Sequence, residues 1–336
     1  MATARPTLKD VADRVGVSAK TVSNVVNGTG WVTAELKERV QAALVEVGYR
    51  PNAAARQLRS GRTGMLAVAL PDLSQPYFAE LAAELVREAQ ERSITVLVNQ
   101  TDGRADIERR ISEGIGAPAV DGLIMSPLAL GAGDLEGRRD TTPLVLLGEH
   151  IGETPLPHVT VDNTAAARAA TEHLLSLGCR RIVAIGAQSE GPNETSVLRL
   201  AGYRDALAAA GVEIDESLVI TVEGYHRADG AAAARALLDA GVEFDAVFAF
   251  NDLLALGAMH VLVTSGIRVP DDVAVMGFDD IEEARYSTPS LSSVSPDTSA
   301  LVRTALDLLS GESPTPGMHT IGFTVVDRAS TRGLSE

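Results

Sequence analysis

The sequence predicts a small all-α head on a larger α/β body of two doubly wound parallel-sheet lobes. Three observations predict it. Residues 7–48 carry three short amphipathic patterns with caps and glycine stops, and no strand pattern. From Met65 onward, apolar runs alternate with helical patterns to the end of the chain, the texture of parallel sheets covered on both faces. Charge also changes sign along the chain. Residues 1–62 hold ten Lys/Arg against five Asp/Glu, a net of +5 on a chain of −16, which leaves −21 on the rest.

Thr7 opens the first helix, with Asp10 three positions on as its capping-box partner and Leu8, Val11, Ala12 and Val15 as its apolar stripe. Gly16 supplies the turn. Ser18 caps a second helix, Ala19 to Asn27, in which Val22, Val25 and Val26 fall at i, i+3, i+4. The loop NGTGW leads to a third helix begun at Thr33, with Leu36, Val40, Ala43, Leu44 and Val47 on one face and Gly48 as its stop; Trp31 is expected to pack that loop. Two helices joined by a tight Gly turn, with a third packed on them, describe a helix-turn-helix domain over residues 1–50. AAARQLRSGRTG then reads as a linker in the segment 51–63, and the body runs from 64 to 336.

In the body, MLAVALP, ITVLVNQ, DGLIMSP, PLVLLGE, RIVAIGA, LVITVEG, AVFAFND and DVAVMGFDD read as buried strands. YFAELAAELVREAQERS, AAARAATEHLLSLG, LRLAGYRDALAAAG and DLLALGAMHVLVTSG read as helices between them. Ligands of such folds bind beyond the carboxyl ends of the strands.

Hydrophobic content of 45% with 22% charged residues describes a globular chain. No apolar run reaches the ~20 residues of a membrane span, and the first thirty residues lack the apolar core of a secretory signal. A lone cysteine, Cys179, excludes an internal disulfide and a multi-cysteine zinc site. The chain therefore reads as cytoplasmic, with no membrane partner. A basic head on an acidic body is the asymmetry expected of a DNA-binding module.

The second helix sharpens that reading. Lys20, Ser23, Asn24 and Asn27 project opposite its valines. Val, Thr, Ser and Asn are each roughly 0.5 kcal/mol worse than alanine as helix formers, so this helix is held by packing. A face of Lys and Asn pairs with phosphates and base edges, whereas a merely solvated hairpin more usually carries Glu/Lys pairs. In the linker, a helix would set Ala54, Ala55 and Leu58 on one face beside Arg56, Arg59 and Arg62. So short a helix does not hold alone in water. It is expected to order on DNA with Leu58 as a minor-groove wedge, the alternative being a plain flexible linker.

TLKDVADRVGVSAKTVSNVVNG, VGYRPNAAARQL, AFNDLLALGAM and DVAVMGFDD together resemble the lactose-repressor (LacI/GalR) family of bacterial transcription regulators over essentially the whole chain. The resemblance implies a periplasmic-binding-protein-like body, a homodimer on a palindromic double-stranded operator, and a small effector between the lobes. It sets Ala19, Lys20 and Asn24 at operator-reading positions and Leu58 where the family's hinge helix intercalates. Candidate DNA contacts are Ser18, Ala19, Lys20, Thr21, Ser23, Asn24, Asn27, Asn52, Ala55, Leu58 and Arg59.

By the same resemblance, Asp279 accepts hydrogen bonds from ligand hydroxyls or amines, Arg199 forks onto ligand oxygens, and Asn251 contacts a sugar. Tyr77, Phe78 and Tyr225 are apolar or stacking walls, and Ser126 is a looser match. Aromatic walls with Arg, Asn and Asp suit a neutral polyol, so the expected effector is a neutral mono- or disaccharide that favours release from DNA. No cofactor, metal or catalytic residue is expected. A non-sugar ligand or a protein co-regulator remains the alternative, and the sign of the response stays open, since one two-state cleft supports both.

Two departures matter. Ala19 presents a methyl where relatives often place a longer polar reader, so the operator does not transfer from a relative. The chain shows no C-terminal leucine heptads after STRGLSE, so a dimer is expected. An enzyme is disfavoured. IGAQSEGP approaches G-x-S-x-G, but Ala187 replaces the first glycine and Pro192 follows; H-E-x-x-H and P-loop patterns are lacking, and GAGDLEG is no dinucleotide fingerprint. A solute-binding transport receptor shares the body, but the basic head and the lack of a leader argue against it.

Overall fold

The computed structural model describes residues 6–27, 29–49, 62–116, 118–151, 154–189, 194–311 and 316–332. The chain forms two compact units, residues 1–63 and 64–336.

The first unit holds α1 (Leu8–Val15), α2 (Ala19–Asn27) and α3 (Ala34–Val47). Local chemistry fixes their ends. The Asp10 carboxylate accepts the Thr7 N–H at 2.7 Å while Thr7 Oγ1 accepts from the Asp10 amide, closing the capping box. Gly16 takes φ 76°, which lets the chain turn between α1 and α2 without a Cβ clash. Ser18 Oγ accepts the Thr21 N–H at 3.1 Å, and Thr33 Oγ1 accepts the Leu36 N–H at 3.4 Å. Val11, Val22 and Val40 are fully buried, with Ala12, Val15 and Ala43 around them. Arg39 donates to the Val15 carbonyl at 2.9 Å, so one of the basic residues serves to cap the end of α1. Trp31 does not pack its loop: it is 91% exposed. Gly30 takes φ 77°, where an added Cβ would lie 3.0 Å from the Asn24 side-chain amide nitrogen, and the next side chain points to solvent.

The first lobe of the second unit is a six-stranded, all-parallel sheet. It comprises β1 (Met65–Leu70), β2 (Thr95–Gln100), β3 (Leu123–Met125), β4 (Leu144–Leu147), β5 (Pro157–Val161) and β11 (Gly317–Ile321), in the order β11-β5-β4-β3-β1-β2. The second lobe comprises β6 (Ile182–Ala187), β7 (Val219–Thr221), β8 (Ala246–Ala249), β9 (Ala274–Phe278), β10 (Ser292–Pro296) and β12 (Phe323–Val326), in the order β12-β10-β9-β8-β6-β7. There β12 runs antiparallel to β10, a departure from the parallel pattern at the sheet edge.

The helices are α4 (Pro76–Glu91), α5 (Ala105–Ser112), α6 (Ala132–Glu136), α7 (Asn163–Ser176), α8 (Glu194–Ala209), α9 (Arg227–Asp239), α10 (Asp252–Thr264), α11 (Glu282–Tyr286), α12 (Thr298–Ser310) and α13 (Ala329–Arg332). The chain passes between lobes three times, just after β5, β10 and β11. Neither lobe is therefore a continuous segment: α12 returns to pack Leu301, Val302, Ala305 and Leu306 into the first lobe's core with Leu66, Val68 and Val145. Each lobe has a hydrophobic cluster on both sides of its sheet. Helices α9 and α10 touch backbone to backbone, since a Cβ on Gly257 would lie 2.0 Å from the Arg227 carbonyl oxygen. Among the described residues no helix is long and apolar enough to cross a membrane.

Candidate functional site

The first candidate site is the exposed face of α2. Ser18, Ala19 and Lys20 are exposed at its N-terminus, and Thr21, Ser23 and Asn24 are half-buried beside them. No acidic residue lies in the first turn, so the positive end of the helix dipole is uncompensated. Ser18 and Thr21 also have a local task, as their hydroxyls bond each other at 2.8 Å. Asn52, Ala55, Leu58 and Arg59, and the side chain of Asn27, lie outside the described residues.

The second candidate site is a cavity of about 420 Å3 between the two lobes. It opens where the strands of both sheets end, as the fold requires. All seven residues singled out for the effector line it. From the first lobe come Tyr77 and Phe78 at the start of α4 and Ser126 after β3; from the second come Arg199 on α8, Tyr225 after β7, Asn251 after β8 and Asp279 after β9. The Tyr77 and Phe78 rings meet edge to face at 5.2 Å. The Tyr225 hydroxyl donates to the Gly186 carbonyl at 2.8 Å, which ties its polar end to the protein. Asn251 is the N-cap of α10: its Oδ1 accepts the Leu254 N–H at 2.9 Å and its Nδ2 donates to the Tyr225 carbonyl at 3.1 Å. It shapes the wall as well as lining it.

Arg199 is 8% exposed and heavily committed. Its Nε donates to Asn163 Oδ1 at 2.7 Å, Nη1 donates to the Phe250 carbonyl, and the guanidinium carbon sits 3.4 Å from the Phe278 ring centroid. Nη2 lies 3.8 Å from Asp279 Oδ1. Asp279 takes φ 109° and Asp280 φ 53°, a strained left-handed run. Three consecutive amides hold it: Asp279 N–H to the Val294 carbonyl at 2.9 Å, Asp280 N–H to Ser293 Oγ at 3.1 Å, and Ile281 N–H to Asp252 Oδ2 at 2.9 Å. Burial pushes the Asp279 carboxyl up to about 7, against the pull of Arg199 and with help from Glu149 and Glu80. Asp252, fully buried, is pushed well above the usual carboxylate range by burial and by Asp279.

Sequence reasoning missed Glu149, His150, Thr160, Gln188, Glu194, Thr195 and Glu223, which also line the cavity. Several join the lobes. Glu149 accepts from Thr160 Oγ1 of its own lobe and from Thr195 Oγ1 of the other, each at 3.0 Å. His150 Nδ1 and Glu194 Oε2 are 2.9 Å apart across the same gap. The available signal was positional, since Glu149 and Glu223 directly follow apolar strand runs. A second depression of about 540 Å3 shares Tyr77, Leu81, Asp279 and Pro296 with the cleft and is lined by the crossings between lobes at Pro296–Thr298 and Gly322–Phe323. Among the described residues no cluster of His, Cys, Asp and Glu could hold a metal ion.

Residues 7–52 match the family described as bacterial regulatory proteins, lacI family, and residues 171–331 match the periplasmic binding protein-like domain. The HTH-type transcriptional regulator CelR of Thermobifida fusca is 37% identical over 329 residues, spanning 93% of this chain and 94% of that one. Among solved structures, a transcriptional regulator CelR–cellobiose complex aligns with a TM-score of 0.69 at 34% identity, covering 97% of this chain and 100% of that one. The lac repressor dimer bound to operator and the anti-inducer ONPF aligns with a TM-score of 0.82 at 27% identity, covering 98% and 99%. Similar in its reading head and its two-lobed body alike, the chain belongs to the lacI family of bacterial regulatory proteins and is a DNA-binding transcriptional regulator.

Proposed function

We propose that this protein is a cytoplasmic, homodimeric repressor of a palindromic operator, released by a neutral sugar of up to disaccharide size bound between its lobes. The carrying observation is the cleft: about 420 Å3, within the roughly 300–1,000 Å3 of small-molecule sites. It combines aromatic walls with polar groups suited to hydroxyls. The Asp279 carboxylate stands beyond hydrogen-bond distance of Arg199, which leaves its oxygens to accept from a ligand hydroxyl. The likeness to a regulator solved with cellobiose supports a sugar of that size.

On the DNA side, Ala19, Lys20 and Asn24 read bases and phosphates from α2. The segment 51–63, with Asn52, Ala55, Leu58 and Arg59, serves as a hinge that orders on the operator. Three crossings between lobes near the cleft give a ligand the means to change the lobe angle, and through it the hinge.

The test is a mobility-shift titration of operator fragments from the protein's own promoter region, with and without a panel of neutral sugars. The expected outcome is binding that weakens steeply with salt and with one sugar of the panel. Binding that no sugar alters while a nucleoside or a protein does would overturn the sugar assignment and leave the regulator.

A further inference from the structure

Resting on the sugar reading of the cleft, we propose that the cleft admits uncharged sugars and excludes their phosphorylated and carboxylated forms. The regulator then reports on free sugar and falls silent once the sugar is phosphorylated or oxidised.

Among the described residues three glutamates, Glu149, Glu194 and Glu223, line the cavity together with Asp279, whose carboxyl burial raises to about 7, against one guanidinium, Arg199. The two histidines of the lining do not reverse that balance: His150 is bonded to Glu194, and His226 is exposed at the rim. Arg199 is not available to an anion either. Two of its nitrogens are spent on Asn163 and Phe250, its face is on Phe278, and its remaining edge looks onto Asp279. A phosphate entering here meets like charge with no fork to receive it.

In doubly wound folds, phosphates are commonly held by the N–H groups of helix N-termini. Three helices begin at this cavity in the second lobe, and each carries an acidic or capping group of the chain's own. At α10, Asn251 Oδ1 takes the Leu254 N–H and the next residue is the buried carboxyl of Asp252. At α9, the Asp229 carboxylate takes the His226 N–H at 3.0 Å. At α8, the first residue is Glu194. On the first-lobe side, Pro76 removes one of the N–H groups that the start of α4 would offer, and Gln75 sets no side-chain cap there. The second-lobe helix starts, where this fold commonly seats a phosphate, already carry the chain's own groups.

What remains suits hydroxyls: carboxylate and amide oxygens as acceptors, aromatic rings as walls. The device discriminates by what it repels, which costs the free sugar nothing.

The test uses the full chain and calorimetric titration with cellobiose, cellobiose 6-phosphate, cellobionate and 6-O-acetyl cellobiose, at low and high salt. The expected result is that cellobiose and its acetyl ester bind, while the phosphate and the carboxylate bind at least about 100-fold more weakly. Raising the salt should narrow that gap, and so should Glu149→Gln with Glu194→Gln. A gap that salt does not move, with the acetyl ester excluded as strongly as the phosphate, would show that bulk and not charge decides, and overturn the proposal. So would a phosphate that binds within tenfold of cellobiose. If no sugar of either charge binds, the sugar reading itself has failed.

Discussion

The Arg199 guanidinium and the Asp279 carboxylate face each other at 3.8 Å, side by side in the cleft but not hydrogen-bonded. The arginine is held by three other contacts and Asp279 sits on a left-handed backbone, which leaves the carboxylate oxygens to a ligand donor.

The burial of that carboxyl gives a pH dependence. Burial raises the Asp279 carboxyl from 3.8 to about 7, so ionising it in the ligand-free protein costs stability. Its contribution is whole below about pH 4 and is lost as pH rises through about 7. Wild type should therefore lose stability relative to Asp279→Asn, measured by thermal unfolding, as pH rises from about 4 to about 7. A ligand hydroxyl that donates to the carboxylate favours the ionised form, so sugar affinity should rise through the same window.

Asp252 supports the loop that carries Asp279. Its carboxyl is fully buried and accepts from Ser293 Oγ at 2.6 Å and from the Ile281 amide at 2.9 Å. Asp252→Ala strands both donors and should cost roughly 2–4 kcal/mol in a urea unfolding series. Asp252→Asn should cost less, because one acceptor survives.

Thr195 links the lobes through Glu149. Thr195→Val removes that hydrogen bond with little change of shape. Bonds to a charged group are worth about 1.5–3 kcal/mol at most sites, so the unfolding midpoint of the ligand-free protein should fall, and ligand affinity should fall with it. A loss of stability with unchanged affinity would show that the contact serves stability and not closure.

On the head, Lys20→Ala should weaken operator binding alike for all sequences and lower the salt slope by about 1, the signature of a lost phosphate contact. Asn24→Ala should instead relax base preference by about 1–3 kcal/mol at one position of a half-site. Quantitative mobility shifts on operator variants separate the two.

How much of this was legible in the sequence depends on what each segment buries. The eight strands read as continuous apolar runs are all present. The four missed strands hide their role in polar residues whose partners lie far along the chain. In β10, Ser292 and Ser293 are fully buried because Ser330, Thr331 and Asp252 bond to them. In β5, His158 bonds the Gly148 carbonyl and Thr160 bonds Glu149. The edge strands β11 and β12 are only half covered; β11 lacks an apolar run, and in β12 the run FTVV is interrupted by Thr324. Asn251 shows the same limit in the site: its place in the wall was readable, whereas its capping of α10 and its grip on Tyr225 appear only in the fold.

Trp31 is the single tryptophan of the sequence, and its indole stands 91% exposed on the unit that carries α2. The protein thus contains its own optical reporter, placed on the head and on nothing else. Its emission, selected by red-edge excitation, will start at long wavelength and be readily quenched by iodide. A shift on adding operator reads the head's own engagement. A shift on adding sugar alone, with no DNA in the cuvette, reads a message that has travelled from one folding unit to the other, and it can be followed in real time without attaching a label.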